Sequence, residues 1–553
     1  MRSSLPRALR HISRNTSRLS SQRCRASGAL RWNSSSSSTT STTVQEGEHK
    51  WSTPLAKQLH EIITTTGPIP LASYMRQCLT SDLGGYYSNT ASSATSPDQF
   101  GAKGDFVTSP EISQIFGELI GIWIVAEWIA QGRRSSGVYL MEVGPGRGTL
   151  MSDILRTIRR FPDLSKAIEG VYLVEASPRL RQAQKALLCG DEKEMTETDI
   201  GWESESKMAD GMKVKWTEDI RFVPRDGSKT PFIVAHEFFD ALPIHVFQSV
   251  PPAAPGSTNE EGQKVIQTPT GPIPAPERQR QSAKENQWRE LLVGPKPPHR
   301  MEEGEPEFEM SMSRAATPHS MYLPETSPRY QALKATDGAT IEISPESQAY
   351  ARDFAIRLGG SNPQDATAAT PDTQSSGKTV PSAPKEEPTM KSEPSGAALI
   401  IDYGPATTIP ANSLRGIKQH EMVSPFLSAG STDISADVDF MGLAESAINS
   451  SPGVEVHGPL NQARFLTAMG IEERAAQLVK QAVDKERGGS TGQDKTELTE
   501  LVKRIDSGWR RLVDTSPHGM GKLYQVMAIL PYKPTAQGEA RRRPVGFGGD
   551  VQM

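Results

Sequence analysis

The chain has 553 residues, a formal net charge of −4, 36% hydrophobic residues, 46 glycines and 42 prolines. The near-balance of charge excludes a general affinity for nucleic acid, and the modest apolar content leaves much of the chain outside any packed core. Three scattered cysteines, Cys24, Cys78 and Cys189, make neither a disulfide framework nor a zinc site, and no metal site is assigned.

Residues 1–45 hold eight arginines and no acidic residue, and include the run SSSSSTTSTT. An Arg- and Ser-rich, acid-free leader that can form a basic amphipathic helix has the pattern of a mitochondrial presequence, so it is set aside from the fold. Residues 51–80 read as two helices split by Gly67-Pro68, and the polar stretch 88–104 reads as a loop. Ser109, Pro110 and Glu111 are expected to cap the apolar helix that follows. The most apolar stretch, 115–130, is 16 residues long and is interrupted by Glu118 and Glu127. It reads as a buried helix and is too short for a membrane span.

From residue 138 strands and helices alternate. Strands are expected at 138–143, 171–175, 214–216, 231–235, 398–402 and 523–529. Their continuous apolar runs predict a sheet covered on both faces, doubly wound by right-handed crossovers. The run EVGPGRGTL (142–150) follows the first strand and opens a helix. Strand, glycine turn and helix together hold nucleotide-like cofactors. A dinucleotide fingerprint needs its third glycine where this chain has Thr149, and no catalytic Tyr-Lys or His-Asp motif accompanies it. That argues against an oxidoreductase. Glu142 followed by Gly144, Gly146 and Gly148 fits an S-adenosylmethionine (SAM) site of a class I methyltransferase instead. Glycines let the backbone approach the ligand because no Cβ intervenes. The next strand ends at Glu175, whose two oxygens suit a ribose diol, and Ser177 is a natural N-cap. Asp219 is placed near the adenine position.

Two stretches, 251–285 and 359–396, carry too few apolar residues to offset the entropy of ordering, and both read as disordered insertions. Between them, 287–293 and 306–311 are expected to pair as a hairpin, and 344–358 to form a helix capped by Ser344. Residues 410–470 read as a helical cap. The resulting division is a presequence at 1–45, N-terminal helices and the SAM-binding half at 50–250, and insertions at 251–285 and 359–396. The methyltransferase domain continues through 286–358 and 397–535.

The segments GDFVTSPEISQIFGE (104–118), MEVGPGRGTL (141–150), VEASPRLR (174–181), AHEFFDALPIH (235–245), IIDYG (400–404) and LRGIKQHEMVSPFLSAGSTDISADVDF (414–440) resemble the MidA family of SAM-dependent methyltransferases. The resemblance covers roughly residues 50–250 and 340–530. It implies a mitochondrial matrix enzyme that methylates arginine on a subunit of respiratory complex I and is needed for assembly of that complex. The alternative is an assembly chaperone that keeps the SAM-binding fold without catalysis. The implied partner is a protein substrate, with no nucleic acid and no membrane span. In this fold the end of the strand PFIVA faces the transferred methyl group, which assigns Glu237 and Asp240 as the acids that hold the acceptor. His236 is a candidate proton acceptor. The GDFVTSP element lies over the cofactor pocket in the family, which adds Gly104, Asp105 and Thr108. Gln462 and Phe465 are placed near the substrate, with core packing the competing role for Phe465.

Overall fold

The central element is a nine-stranded mixed sheet. Its order is Val454–Asn461, Tyr524–Pro531, Ala397–Tyr403, Thr230–His236, Val138–Val143, Ile168–Val174, Lys213–Thr217, Gly201–Glu205, Thr196–Thr198. This computed structural model describes residues 50–88, 107–252, 265–268, 271–274, 285–297, 300, 304–362, 389–488, 495–534 and 542–548. The expected leader at 1–45, the loop at 89–104, and Gly104 and Asp105 lie outside them.

The five central strands run parallel, and Tyr524–Pro531 enters antiparallel beside Ala397–Tyr403. All six expected strands are present. The two innermost, Val138–Val143 and Thr230–His236, are buried along their whole length, which explains their unbroken apolar runs. One core, with helices Gln114–Ala130 and Thr149–Ile158, covers one face, and helices Pro345–Gly359 and Phe440–Ser450 cover the other. The acids inside the apolar helix are paired: Glu118 with Arg474 at 2.8 Å and Glu127 with Arg542 at 2.6 Å. Buried carboxylates of this kind persist only when matched by charge and hydrogen bonds. Among the described residues no helix is long and apolar enough to cross a membrane.

Strand order reverses between Val138–Val143 and Thr230–His236. The second and third parallel strands lie on one side of the first, and the fourth and fifth lie on the other. Loops leaving the carboxyl ends of these two strands diverge, and the crevice between them is where open α/β sheets bind ligands.

A smaller sheet combines Ile69–Pro70, Gln287–Pro295, His245–Val250, Thr340–Ile343 and Phe308–Met312. It contains the expected hairpin, Gln287–Pro295 against Phe308–Met312. The N-terminal helices Pro54–Thr66 and Leu71–Thr80 pack on it through Leu55, Leu59, Tyr74 and Met75, against Val246, Val293 and Phe308.

Three expectations are corrected. Residues 410–470 are not a helical cap throughout. Arg415–Lys418, Glu421–Val423 and Asp433–Ser435 form a three-stranded sheet, Val454–Asn461 is an edge strand, and only Phe440–Ser450 and Gln462–Ala468 are helical. The cause is local: Gly416, Pro425 and Gly430 break a helical period, and Ile417, Val423 and Ile434 favour strands. Ser109–Ile112 forms a single helical turn of its own, and Ser113 caps the long helix by accepting from the Ile115 N–H. The insertions are not featureless where described. Val265–Thr268 pairs with Gly271–Pro274, and Lys391 Nζ donates to the carbonyls of Lys229, Arg357 and Ser395. Most of both insertions lies outside the described residues.

Candidate active site

At the crevice lies a cavity of about 300 Å³, whose walls include Glu142, Gly144, Gly146, Glu175, Glu237 and Asp240. The sheet therefore brings six of the sequence-assigned residues to one space. Thr108 also lines it.

The glycine turn has left-handed backbone at all three glycines, with φ of +64° at Gly144, +54° at Gly146 and +84° at Gly148. Gly148 faces Gln184 and caps the helix Thr149–Ile158, so its part is structural. A Cβ on Gly144 would lie 2.6 Å from Cδ2 of Phe238. Gly144→Ala combines left-handed strain of ~1–2 kcal/mol with overpacking of ~1–3 kcal/mol, and should lower SAM affinity at least tenfold. Isothermal titration on the folded variant checks this.

Glu142 is 2% exposed, and its Oε2 has no hydrogen-bond partner. Burial pushes its pKa up to about 8, countered by the Met151 backbone N–H and reinforced by Glu175. Glu175 accepts from the Ser177 N–H at 2.8 Å and from Gln184 Nε2 at 3.2 Å, and burial raises its pKa to about 7. Two protein donors leave acceptor positions on this carboxylate for a diol. An orphaned carboxylate oxygen beside an open glycine turn fits the ammonium end of an amino-acid ligand. These residues therefore fit SAM.

Sequence reasoning missed Gln184. Its Nε2 also donates to the Gly146 carbonyl at 2.6 Å, and its Oε1 accepts from Trp216 Nε1 at 2.9 Å. One fully buried amide thus ties the glycine turn, Glu175 and the strand Lys213–Thr217 together. Its signal was a polar residue between Leu180 and Leu188 on the buried helix face. The adenine assignment to Asp219 is corrected. That carboxylate caps the turn Ile220–Phe222 and is held by Arg221 at 2.8 Å, while Glu218 lines the cavity.

The wall of the cavity that carries Glu237 and Asp240 is built on the turn after Thr230–His236. Glu237 has φ +49°, a strained conformation for a residue with a side chain, and its N–H donates to the Ile401 carbonyl. Its Oε1 accepts from the Tyr524 hydroxyl at 2.7 Å and from the Ser109 N–H at 3.4 Å. The Tyr524 hydroxyl is also hydrogen-bonded to that of Tyr403. Burial pushes Glu237 up to about 8. Asp240 is raised to about 6 by burial, opposed by Arg415, which pairs with Asp437 at 2.6 Å. Asp402 holds the turn from beneath. Its Oδ2 accepts from the N–H groups of Phe238 at 3.0 Å and Phe239 at 2.8 Å, and its Oδ1 accepts from that of Tyr403 at 2.8 Å. His236 is buried, its Nε2 makes no hydrogen bond, and burial lowers its pKa to about 3, so the imidazole is neutral. Gln462 is excluded from the site: it donates to the Leu512 carbonyl, and Phe465 packs in the core.

The raised carboxyl pKa values fix a pH dependence. Glu142 and Glu175 bind more protons folded than unfolded between about pH 4.5 and 8, so stability of the ligand-free protein falls as pH rises through that window. A cationic ligand favours the ionised carboxylates and releases protons on binding. The SAM-induced rise in Tm should therefore be larger near pH 8.5 than near pH 6, as thermal unfolding with and without SAM will show.

The family model for S-adenosyl-L-methionine-dependent methyltransferases matches residues 119–460. The chain is 32% identical over 478 residues to "Protein arginine methyltransferase NDUFAF7 homolog, mitochondrial" of Drosophila melanogaster, covering 86% of this chain and 85% of that one. It is 29% identical over 493 residues to the Homo sapiens protein arginine methyltransferase NDUFAF7, mitochondrial, covering 89% and 86%. These names agree with the mitochondrial address read from residues 1–45. A Burkholderia thailandensis protein whose crystal structure holds S-adenosyl-homocysteine shares the fold, with a TM-score of 0.53 and 20% identity over 86% of this chain and 91% of that one. The glycine turn at a strand-order reversal, the orphaned acid beside it and these matches converge: the chain belongs to the family of SAM-dependent methyltransferases, and SAM is its cofactor.

Proposed function

We propose that the protein transfers the methyl group of SAM to an arginine side chain of a protein in the mitochondrial matrix, with a subunit of respiratory complex I as the substrate. The observation that carries this reading is the pair of acids, Glu237 and Asp240, on the wall of the cavity that also holds the glycine turn. The names of the relatives and the basic leader support it.

When bound, SAM supplies an electrophilic methyl on sulfonium. The glycine turn and Glu142 hold the amino-acid part, Glu175 the ribose, and Thr108 the rim. Thr108, Pro110 and Glu111, at the described end of the GDFVTSP element and just beyond it, line the same cavity. A guanidinium is protonated at any physiological pH and its lone pairs are delocalised. Glu237 and Asp240 orient it by charged, forked hydrogen bonds and draw positive charge away from the nitrogen that accepts the methyl. Tyr524 and Ser109 occupy Oε1 of Glu237, which leaves Oε2 for the acceptor. Once a methyl is added, the guanidinium must shed a proton, and the Oε2 of Glu237, not engaged by Tyr524 or Ser109, is the group that takes it up. Leu79, Leu242 and Tyr350 line the same cavity and exclude water from the in-line displacement.

The test is incubation of the purified protein and methyl-labelled SAM with complex I subunits, followed by mapping of the labelled residue. Label on an arginine nitrogen is expected. Label on lysine overturns the acceptor assignment. SAM binding without any transfer points instead to the non-catalytic assembly role.

A further inference from the structure

The small sheet gathers three side chains that methyl transfer does not use. His245 opens the strand His245–Val250, Glu290 lies on the neighbouring strand Gln287–Pro295, and His319 sits on the helical turn Pro318–Tyr322. His245 Nδ1 is 2.7 Å from Glu290 Oε1, and His319 Nδ1 is 3.5 Å from the same oxygen. The two imidazoles are in contact, with centroids 4.3 Å apart. One donor atom from each of the three residues lies within 4.8 Å of the others.

A histidine–carboxylate hydrogen bond accounts for His245 and Glu290 alone. It does not account for a second imidazole converging on the same oxygen, since 3.5 Å is beyond a useful hydrogen bond. Glu290 is completely buried, and its other oxygen accepts from the Thr317 hydroxyl. Thr317 is also the N-cap of the turn that carries His319. The carboxylate is thus oriented by an outer partner, as in built metal sites. The side chain of His319 is 46% exposed, so one flank of the cluster opens to solvent.

Two nitrogen donors and one carboxylate oxygen suit zinc, which takes such sets with a water in the fourth position. Calcium and magnesium prefer all-oxygen shells. Ligand atoms at ~2.0–2.1 Å from a tetrahedral ion stand roughly 3.3–3.5 Å apart. The His319 distance already matches this, and the His245 distance needs to open by less than an ångström.

We propose that His245, Glu290 and His319 form a site for one zinc-class divalent ion, separate from the cofactor cavity, that pins the Pro318–Tyr322 turn to the small sheet. The test uses the full chain, stripped with chelator and titrated with zinc chloride by calorimetry, with the bound metal counted after dialysis. One zinc per chain is expected, together with a rise in Tm on adding zinc. His319→Ala removes a half-exposed ligand, so the fold is retained. It should weaken zinc binding by more than the ~10–100-fold seen on loss of outer-sphere partners, and abolish the thermal shift. Glu290→Gln should do the same, and Thr317→Val should cause a smaller loss. No zinc retained by the wild type, or undiminished binding in His319→Ala, overturns the proposal.

Discussion

Glu237→Gln and Asp240→Asn should each lower methyl transfer at least about a hundredfold, roughly 2.7 kcal/mol of transition-state stabilisation, while leaving SAM binding in place. The amide keeps the shape and removes the charge. Glu142, Glu175 and the glycine turn, which we propose hold the cofactor, are not touched by either change. The double variant should lose less than the product of the two effects, because both acids act on one guanidinium. A peptide with lysine in place of the mapped arginine should not be methylated, since an ammonium lacks the planar fork. Turnover and calorimetric SAM affinity on the same preparations separate the outcomes. Full turnover in both variants would reduce these acids to supports of the turn and move the assignment to the element around Thr108 or to Arg415.

Asp402→Ala is expected to have the largest effect on stability. Asp402 is fully buried and accepts three backbone N–H groups. Truncation strands all three, and at ~1–3 kcal/mol for each buried unsatisfied donor the loss should be about 3–5 kcal/mol after partial relaxation. Asp402→Asn keeps one acceptor oxygen and turns an amide N–H₂ toward a donor, so its loss should be intermediate. Urea titration followed by circular dichroism measures both. A midpoint for Asp402→Ala equal to that of the wild type would mean that the turn is held by Glu237 and the Ile401 carbonyl alone.

The strands and the glycine turn were legible because inner strands of a parallel sheet are apolar without alternation and because left-handed turns call for glycine. All six expected strands are found, and Gly144 and Gly146 line the cavity. The small sheet was only partly legible. Its strand His245–Val250 follows directly on the acceptor turn, and Thr340–Ile343 is only four residues long. The region 410–435 was misread because short polar strands carry little periodic signal. Within the site, Tyr403 and Tyr524 went unassigned because their link to Glu237 is purely tertiary: the hydroxyls meet from strands that are 121 positions apart in the chain. Asp402 lies inside IIDYG (400–404), yet two of its three backbone partners, Phe238 and Phe239, belong to the turn above it and leave no mark on the local sequence. Asp219 and Glu218 are neighbours in sequence, and spacing alone cannot decide which of two adjacent acids turns inward.

The hydrogen bond from Tyr524 to Glu237 spans 287 positions. Everything assigned to the cofactor lies before residue 220, whereas Tyr524 opens the last strand of the large sheet, which slots between two strands formed earlier in the chain. A polypeptide delivered amino end first presents its glycine turn long before the strand whose hydroxyl meets Glu237. Termination between the glycine turn and that strand would leave the turn in the chain but remove the hydroxyl that donates to Glu237 Oε1.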